Sequence, residues 1–339
     1  MSAKKKDASS KKLDLTIQNQ FIKKLKEALP PSVGIAEEIA DVLGVSNDSA
    51  YRRIRGETEL TIEEVYILSK KYGISLDAIF GNQADTVTFS YTKLTDSEKN
   101  FEIYLNRILS HLKTLNKFDS KKIYYVAEEI PIFYSFFSKK LTDFKLFYWQ
   151  RSVLNIPAYQ QLKFDWGVVA DNLIEIAHNL YKEYLTIPSS EIWTVETVLT
   201  GIRQIQFYFD SGIITSAHAI DLLTEYRAMI DIIFKNAENG RKNISDKDET
   251  FVMYHSEVVL GTNCIYVVMG DTKYSYISFN TMNSLTTNNI QFCEETEHWV
   301  RNLEKKSTII SGVSAKQRYQ FFNSMYKKVD DVIQKIKLT

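Results

Sequence analysis

The sequence predicts a mainly α fold: five short helices closing a small N-terminal domain, then a large helical domain that ends in a small α+β portion. Three observations predict it. Apolar residues recur at helical spacing along most of the first 240 positions, glycines and prolines cut that pattern into segments, and sustained β-rich runs gather only after residue 249. The expected organisation is a basic, disordered tail over 1–14, the small helical domain over 15–81, a linker over 82–96, the helical domain over 97–248 and the α+β portion over 249–339.

In the first domain, Ile17, Phe21, Ile22, Leu25 and Leu29 make one apolar face of a helix over 16–29, which Pro30 and Pro31 stop. A second helix over 35–43 buries Ile35, Ile39, Ala40 and Leu43. Gly44 ends it, because a left-handed backbone costs glycine nothing. Val45 plugs the turn, and Ser46 is a natural N-cap for a third helix over 47–54, with Ala50 and Ile54 inward. Thr61 and Glu64 have the spacing of a capping box, flanked by Leu60 and Val65 at the staple positions, so a fourth helix starts there and closes at Gly73. Ile74, Leu76, Ile79 and Phe80 make a short fifth helix begun by Ser75.

Beyond the linker, where Val87, Phe89 and Tyr91 alternate as in a strand, Ser97 to Leu115 reads as one helix. Its seam of Phe101, Leu105, Ile108, Leu112 and Leu115 suits either packing on the body or a dimer contact. Residues 122–127 (KIYYVA) read as a short strand or as the lead into a helix, and residues 132–154 as two helices meeting near Lys139. Long helices are expected over 166–185, 193–209 and 215–237, with Asn239-Gly240 as the exit. From 249, FVMYHSEVVL, NCIYVVMG and KYSYISFN read as an antiparallel meander or part of a mixed sheet. A helix over 295–304, a strand at STIISG and a terminal helix over 314–336 follow.

Formal net charge is zero, so global charge does not argue for a polyanionic partner, but the sign is uneven. Residues 1–30 hold eight lysines against Asp7, Asp14 and Glu27, and Arg52, Arg53 and Arg55 fall within four positions. Cys264 and Cys293 are the only cysteines, too few for a disulfide scaffold, and read as buried thiols of a reducing compartment. No apolar run approaches a membrane span and no apolar segment follows the basic start, so the expected location is cytoplasmic, without a membrane partner.

No two of the five histidines lie at metal-ligand spacing, and no Ser-His-Asp, Cys-His or paired-carboxylate set is legible, so neither metal, cofactor nor catalysis is expected. Most of the 20 tyrosines, 19 phenylalanines and 4 tryptophans lie beyond residue 88, where they fill a core or line a ligand pocket. The turn Ser311-Gly312-Val313-Ser314 before the terminal helix offers free amides to an anion. Gly312, Ser314, Lys316 and Arg318 are the candidate anion site, against the plainer reading of a capped helix with solvated basic side chains.

Residues 17–80 resemble the helix-turn-helix domain of the Cro/C1 repressor class, the xenobiotic-response-element type. The resemblance rests on Ile39-Ala40, Leu43-Gly44-Val45-Ser46, Arg55-Gly56 and the run Tyr72 to Asp77. It departs at Ala36, where the class usually has glutamine, and at Ile54, where it usually has glutamate. The resemblance implies that the helix after Ser46 enters the major groove, with Asn47, Asp48, Ser49 and Arg52 facing base edges and Ser46 and Tyr51 near the backbone. Arginine and asparagine on such a helix make paired hydrogen bonds to guanine and adenine. Arg52, Arg53 and Arg55 cannot all face the core; Arg53 and Arg55 are expected on phosphates, against the plainer reading of a charged, solvated helix that pairs with Glu57 and Glu59. The expected function is then that of a sequence-specific transcription regulator on double-stranded DNA, paired as a homodimer, with an effector acting through the C-terminal part. The alternatives are a protein-interaction or architectural module built on the aromatic helical part, and an enzyme with a DNA-targeting head.

Overall fold

The computed structural model describes residues 17–29, 34–74, 76, 79, 86–243 and 250–338. The chain divides into two compact units, residues 1–88 and 89–339. The basic tail over 1–14, most of the fifth helix and the start of the linker lie outside the described residues.

The first unit is helical: α1 (17–28), α2 (Ile35–Leu43), α3 (Asn47–Ile54) and α4 (Ile62–Tyr72). Phe21, Ile22 and Leu25 of α1 meet Ile39, Ala40, Ala50 and Leu68 in one core, with Val45, Ile54, Leu60 and Val65 packed at its border. The small side chains of Ala40 and Ala50, both buried, sit where α2 and α3 pack together.

The second unit corrects the mainly α expectation. It is a layered α/β unit around a seven-stranded mixed sheet, ordered β6-β5-β4-β1-β2-β3-β7. The strands are β1 (Lys121–Ala127), β2 (Ser189–Trp193), β3 (Phe251–His255), β4 (Cys264–Met269), β5 (Thr272–Phe279), β6 (Asn283–Thr287) and β7 (Thr308–Ile309). β1 is the strand reading of residues 122–127, while β2 went unread between two expected helices; the two lie within the domain expected to be helical, pair in parallel with each other, and carry β3 in parallel on the far side of β2. Of the two readings of the strands after 249, part of a mixed sheet holds and a separate meander does not: β4 runs antiparallel against β1, and β3 joins β2.

Both faces of the sheet are covered, which is why β1 at its centre is buried on both sides. Along β1, Ile123, Tyr125 and Ala127 enter the main core, while Tyr124 and Val126 enter the smaller one. The main core is roofed by α5 (Glu98–Asn116), α6 (Lys139–Tyr148, running into a π-helical turn at Trp149–Val153), α7 (Asp171–Leu185), α8 (Leu199–Asp210) and α9 (Ser216–Asn239). α10 (Ile290–Lys306) covers the opposite face with Cys293, Val300 and Leu303, and α11 (Ala315–Lys337) packs along α9. The helix expected over 193–209 begins only at Leu199, because Trp193 ends β2 with its indole fully buried. The one expected over 166–185 begins at Asp171, after a turn through Gly167. The seam of α5 faces its own core, with Phe101, Leu105, Leu112 and Leu115 buried there.

No helix among the described residues is long and apolar enough to cross a membrane.

Candidate nucleic-acid interface

The turn between α2 and α3 is built by two residues. Gly44 takes a left-handed backbone (φ 64) and sends its amide back to the Ala40 carbonyl, which turns the chain sharply. Ser46 then caps α3: its Oγ accepts from the Ser49 amide at 3.3 Å. α3 presents one side outward. Asn47, Asp48, Tyr51, Arg52 and Arg55 are exposed, Ser49 is half-buried, and Ala50 is fully buried. The exposed positions 48, 52 and 55 recur at helical spacing, so they share one stripe.

The three arginines separate by role. Arg52 lies along the stripe, its Nε 3.2 Å from Asp48 Oδ2, with both side chains largely in solvent. Such a pair is worth little and leaves the guanidinium free to move. Arg55 donates to both carboxylate oxygens of Glu57, at 2.8 and 3.0 Å, and is likewise exposed. That guanidinium holds the Glu57 carboxyl below its ordinary range. Arg53 points into the domain instead. Its Nη2 and Nε donate to the two oxygens of Glu64 at 2.7 and 3.1 Å, and its Nη1 donates to the Ser49 carbonyl. A phosphate contact by Arg53 would have to compete with that fork.

Glu64 holds α3 and α4 together. Besides Arg53, it accepts from the Thr61 amide at 3.0 Å while Thr61 Oγ1 accepts from the Glu64 amide, completing the capping box. Gln18 of α1 works as a second brace: its Nε2 donates to the Arg53 and Thr58 carbonyls and its Oε1 accepts from the Leu60 amide. Sequence reading missed both braces. The Thr61-x-x-Glu64 spacing signalled the cap but not the arginine eleven positions back, and no local pattern marks Gln18.

The fork holds the Glu64 carboxyl below its ordinary 4.5, through hydrogen bonding to Arg53 first. A lowered carboxylate adds stability that is present above the unfolded value and is lost as pH falls through the folded one. Glu64→Ala, which removes fork and cap together, is expected to cost the first unit about 2–3 kcal/mol at pH 7. Its loss relative to the parent should shrink below pH 4.5. Hydrogen exchange of the α3 and α4 amides measures it; unchanged protection at pH 7 would deny the fork a structural part.

The remaining sequence candidates are not brought together. Ala36, at the start of α2, is buried and offers no polar group. In the second unit, the Gly312 amide is occupied by the Ala237 carbonyl at 2.9 Å. Arg318 is buried, donates to the Ile310 and Gly312 carbonyls, and lies 3.7 Å from Glu238. Ser314 makes no side-chain cap bond and Lys316 lies exposed on the next turn, so the four do not converge on one anion cradle.

Neither the curated proteins nor the solved structures offer a match to the chain. A family model does match a part of it: residues 34–79, which span α2, the Gly44 turn, α3 and α4, match a model of helix-turn-helix domains, in agreement with the Cro/C1-type resemblance of this segment.

Proposed function

We propose that the chain is a sequence-specific transcription regulator in which α3 lies in the major groove, two copies read two half-sites, and the second unit supplies pairing and an effector response. The observation that supports this reading best is the exposed stripe of α3, held on a rigid head by the Arg53–Glu64 fork and the Gln18 brace. Arg52 is the leading base contact, since a guanidinium on the middle of the helix can donate twice to guanine. Asn47 suits adenine, and Asp48 can accept from cytosine once Arg52 swings away. Ser46, Tyr51 and Arg55 lie at the edges of the stripe, where phosphates run. A twofold pair would set the two α3 helices about 34 Å apart, one turn of the duplex.

The test is selection from a random duplex library followed by fluorescence anisotropy on the selected site. Arg52→Ala is expected to lose about 1–3 kcal/mol on that site and to relax preference at one base pair. Absent binding, or binding indifferent to sequence, overturns the reading. Sedimentation of the chain with and without a palindromic site tests the pair.

A further inference from the structure

A groove of about 230 Å³ lies between the extended stretch 91–96, the end of the π-helical turn at Val153-Leu154, and the β5–β6 turn. The backbone around it is unusual. Among the described residues, the non-glycine positions with positive φ are Asn155 (52), Asn280 (49) and Thr281 (68), and each lies in the groove wall or beside it. Asn280 and Thr281 lie in the tight β5–β6 turn, where a hairpin requires positive φ, and Asn155 is the left-handed residue that follows the π-helical turn, so the groove is walled by two sharp turns. π-turns also gather at binding sites, and this one ends in the groove.

The wall chemistry is divided. Leu94, Val153, Leu154 and Phe279 supply apolar surface. Lys93 and Asp96, on the same extended stretch, supply one charge of each sign, are exposed, and make no ion pair among the described residues. Two unpaired opposite charges beside an apolar wall complement a small zwitterion with an apolar side chain.

We propose that this groove binds a free α-amino acid with an apolar side chain, its carboxylate at Lys93, its ammonium at Asp96, and its side chain against Leu154 and Phe279. Residues 91–96 follow closely on the boundary at Thr88. Occupancy therefore acts on the stretch that leads from the DNA-reading unit, and changes duplex affinity by favouring one arrangement of that stretch. The consequence for DNA rests on the function proposed above; the binding itself does not.

Titration calorimetry of the full chain with L-leucine and L-phenylalanine tests the site, with N-acetyl-L-leucine and L-leucinamide as charge-blocked controls. Saturable binding is expected, at least about tenfold weaker for each blocked form and for Lys93→Met or Asp96→Asn. Leu154→Trp should fill the groove and abolish binding; Phe279→Ala, at an exposed position, serves should the tryptophan variant not fold. No saturable binding of either amino acid, blocked forms that bind as well as free ones, or binding untouched by the Lys93 and Asp96 variants overturns the assignment. Binding that leaves duplex affinity unchanged overturns the coupling alone. Absence of duplex binding with and without the amino acid would instead count against the proposed function, while calorimetry still decides the site.

Discussion

Removal of residues 2–12 is expected to weaken duplex binding roughly a hundredfold at 0.1 M salt, provided two or three of its lysines meet phosphates at a time. The reason is the charge of the reading head. Residues 17–74 hold eight lysines and arginines against nine carboxylates, so the folded head has no net attraction for a polyanion. Three of those carboxylates, Glu37, Glu38 and Asp41, belong to α2, and Arg53 and Arg55 are already paired with glutamates. Residues 1–12 add Lys4, Lys5, Lys6, Lys11 and Lys12 against Asp7 alone. Each lysine that neutralises a phosphate contributes about 0.9 to the slope of log affinity against log salt. Truncation should thus flatten that slope by about 2 and act equally on all sequences. Arg52→Ala should instead act on one base pair and move the slope by about 1 or less. Replacing the five lysines with glutamine should reproduce the truncation. Anisotropy titrations across a salt series measure both; an unchanged slope would mean that the head's own cations carry the phosphate contacts.

The head was legible because its signals are local. Gly44, Ser46, Thr61 and Glu64 each act within four residues of their partner, and each does in the structure what its spacing says. Helix boundaries with such signals were legible too: Ser97 caps α5 and Thr215 caps α9 through their own side chains. The strand runs at β1, β3, β4 and β5 were legible, β1 only as one of two readings, but β2 and the order of the sheet were not, because its centre is made of distant pairings. β2 reads Ser-Ser-Glu-Ile-Trp, which has neither alternation nor an apolar run, and it is a strand because β1 and β3 flank it. β1 is apolar on both faces, a pattern that a buried helix shares. The braces of the reading head failed for the same reason: Gln18 and the 53–60 turn meet across 35 to 42 positions.

Glu191→Ala is expected to destabilise the second unit by about 4 kcal/mol or more, because three buried donors lose one acceptor. In β2, Glu191 is fully buried. Its Oε1 accepts from the hydroxyls of Tyr134 (2.8 Å) and Tyr184 (2.6 Å), and its Oε2 accepts from the Trp193 indole at 3.0 Å. These rings are themselves buried and stacked edge-on, Tyr134 against both Tyr184 and Trp193, so none can turn to water. The midpoint of thermal unfolding should fall by roughly 10 °C or more. Glu191→Gln retains an oxygen for the tyrosines but sets an amide donor against the indole donor, and should cost about 2 kcal/mol. The two variants also separate by pH. Burial pushes the Glu191 carboxyl above its ordinary 4.5, against the pull of Lys242, the two tyrosine hydroxyls and the Trp193 indole. For an acid raised in the folded state, the unfolded chain binds fewer protons across that window, so stability falls as pH rises through it. The advantage of the parent over Glu191→Gln should therefore be largest near pH 4.5 and shrink on the way to neutrality. Denaturant midpoints at a series of pH values read this directly. An advantage that grew with pH would mean that the Lys242 ammonium and the three donors outweigh desolvation, making the ionised carboxylate the favoured occupant of the core.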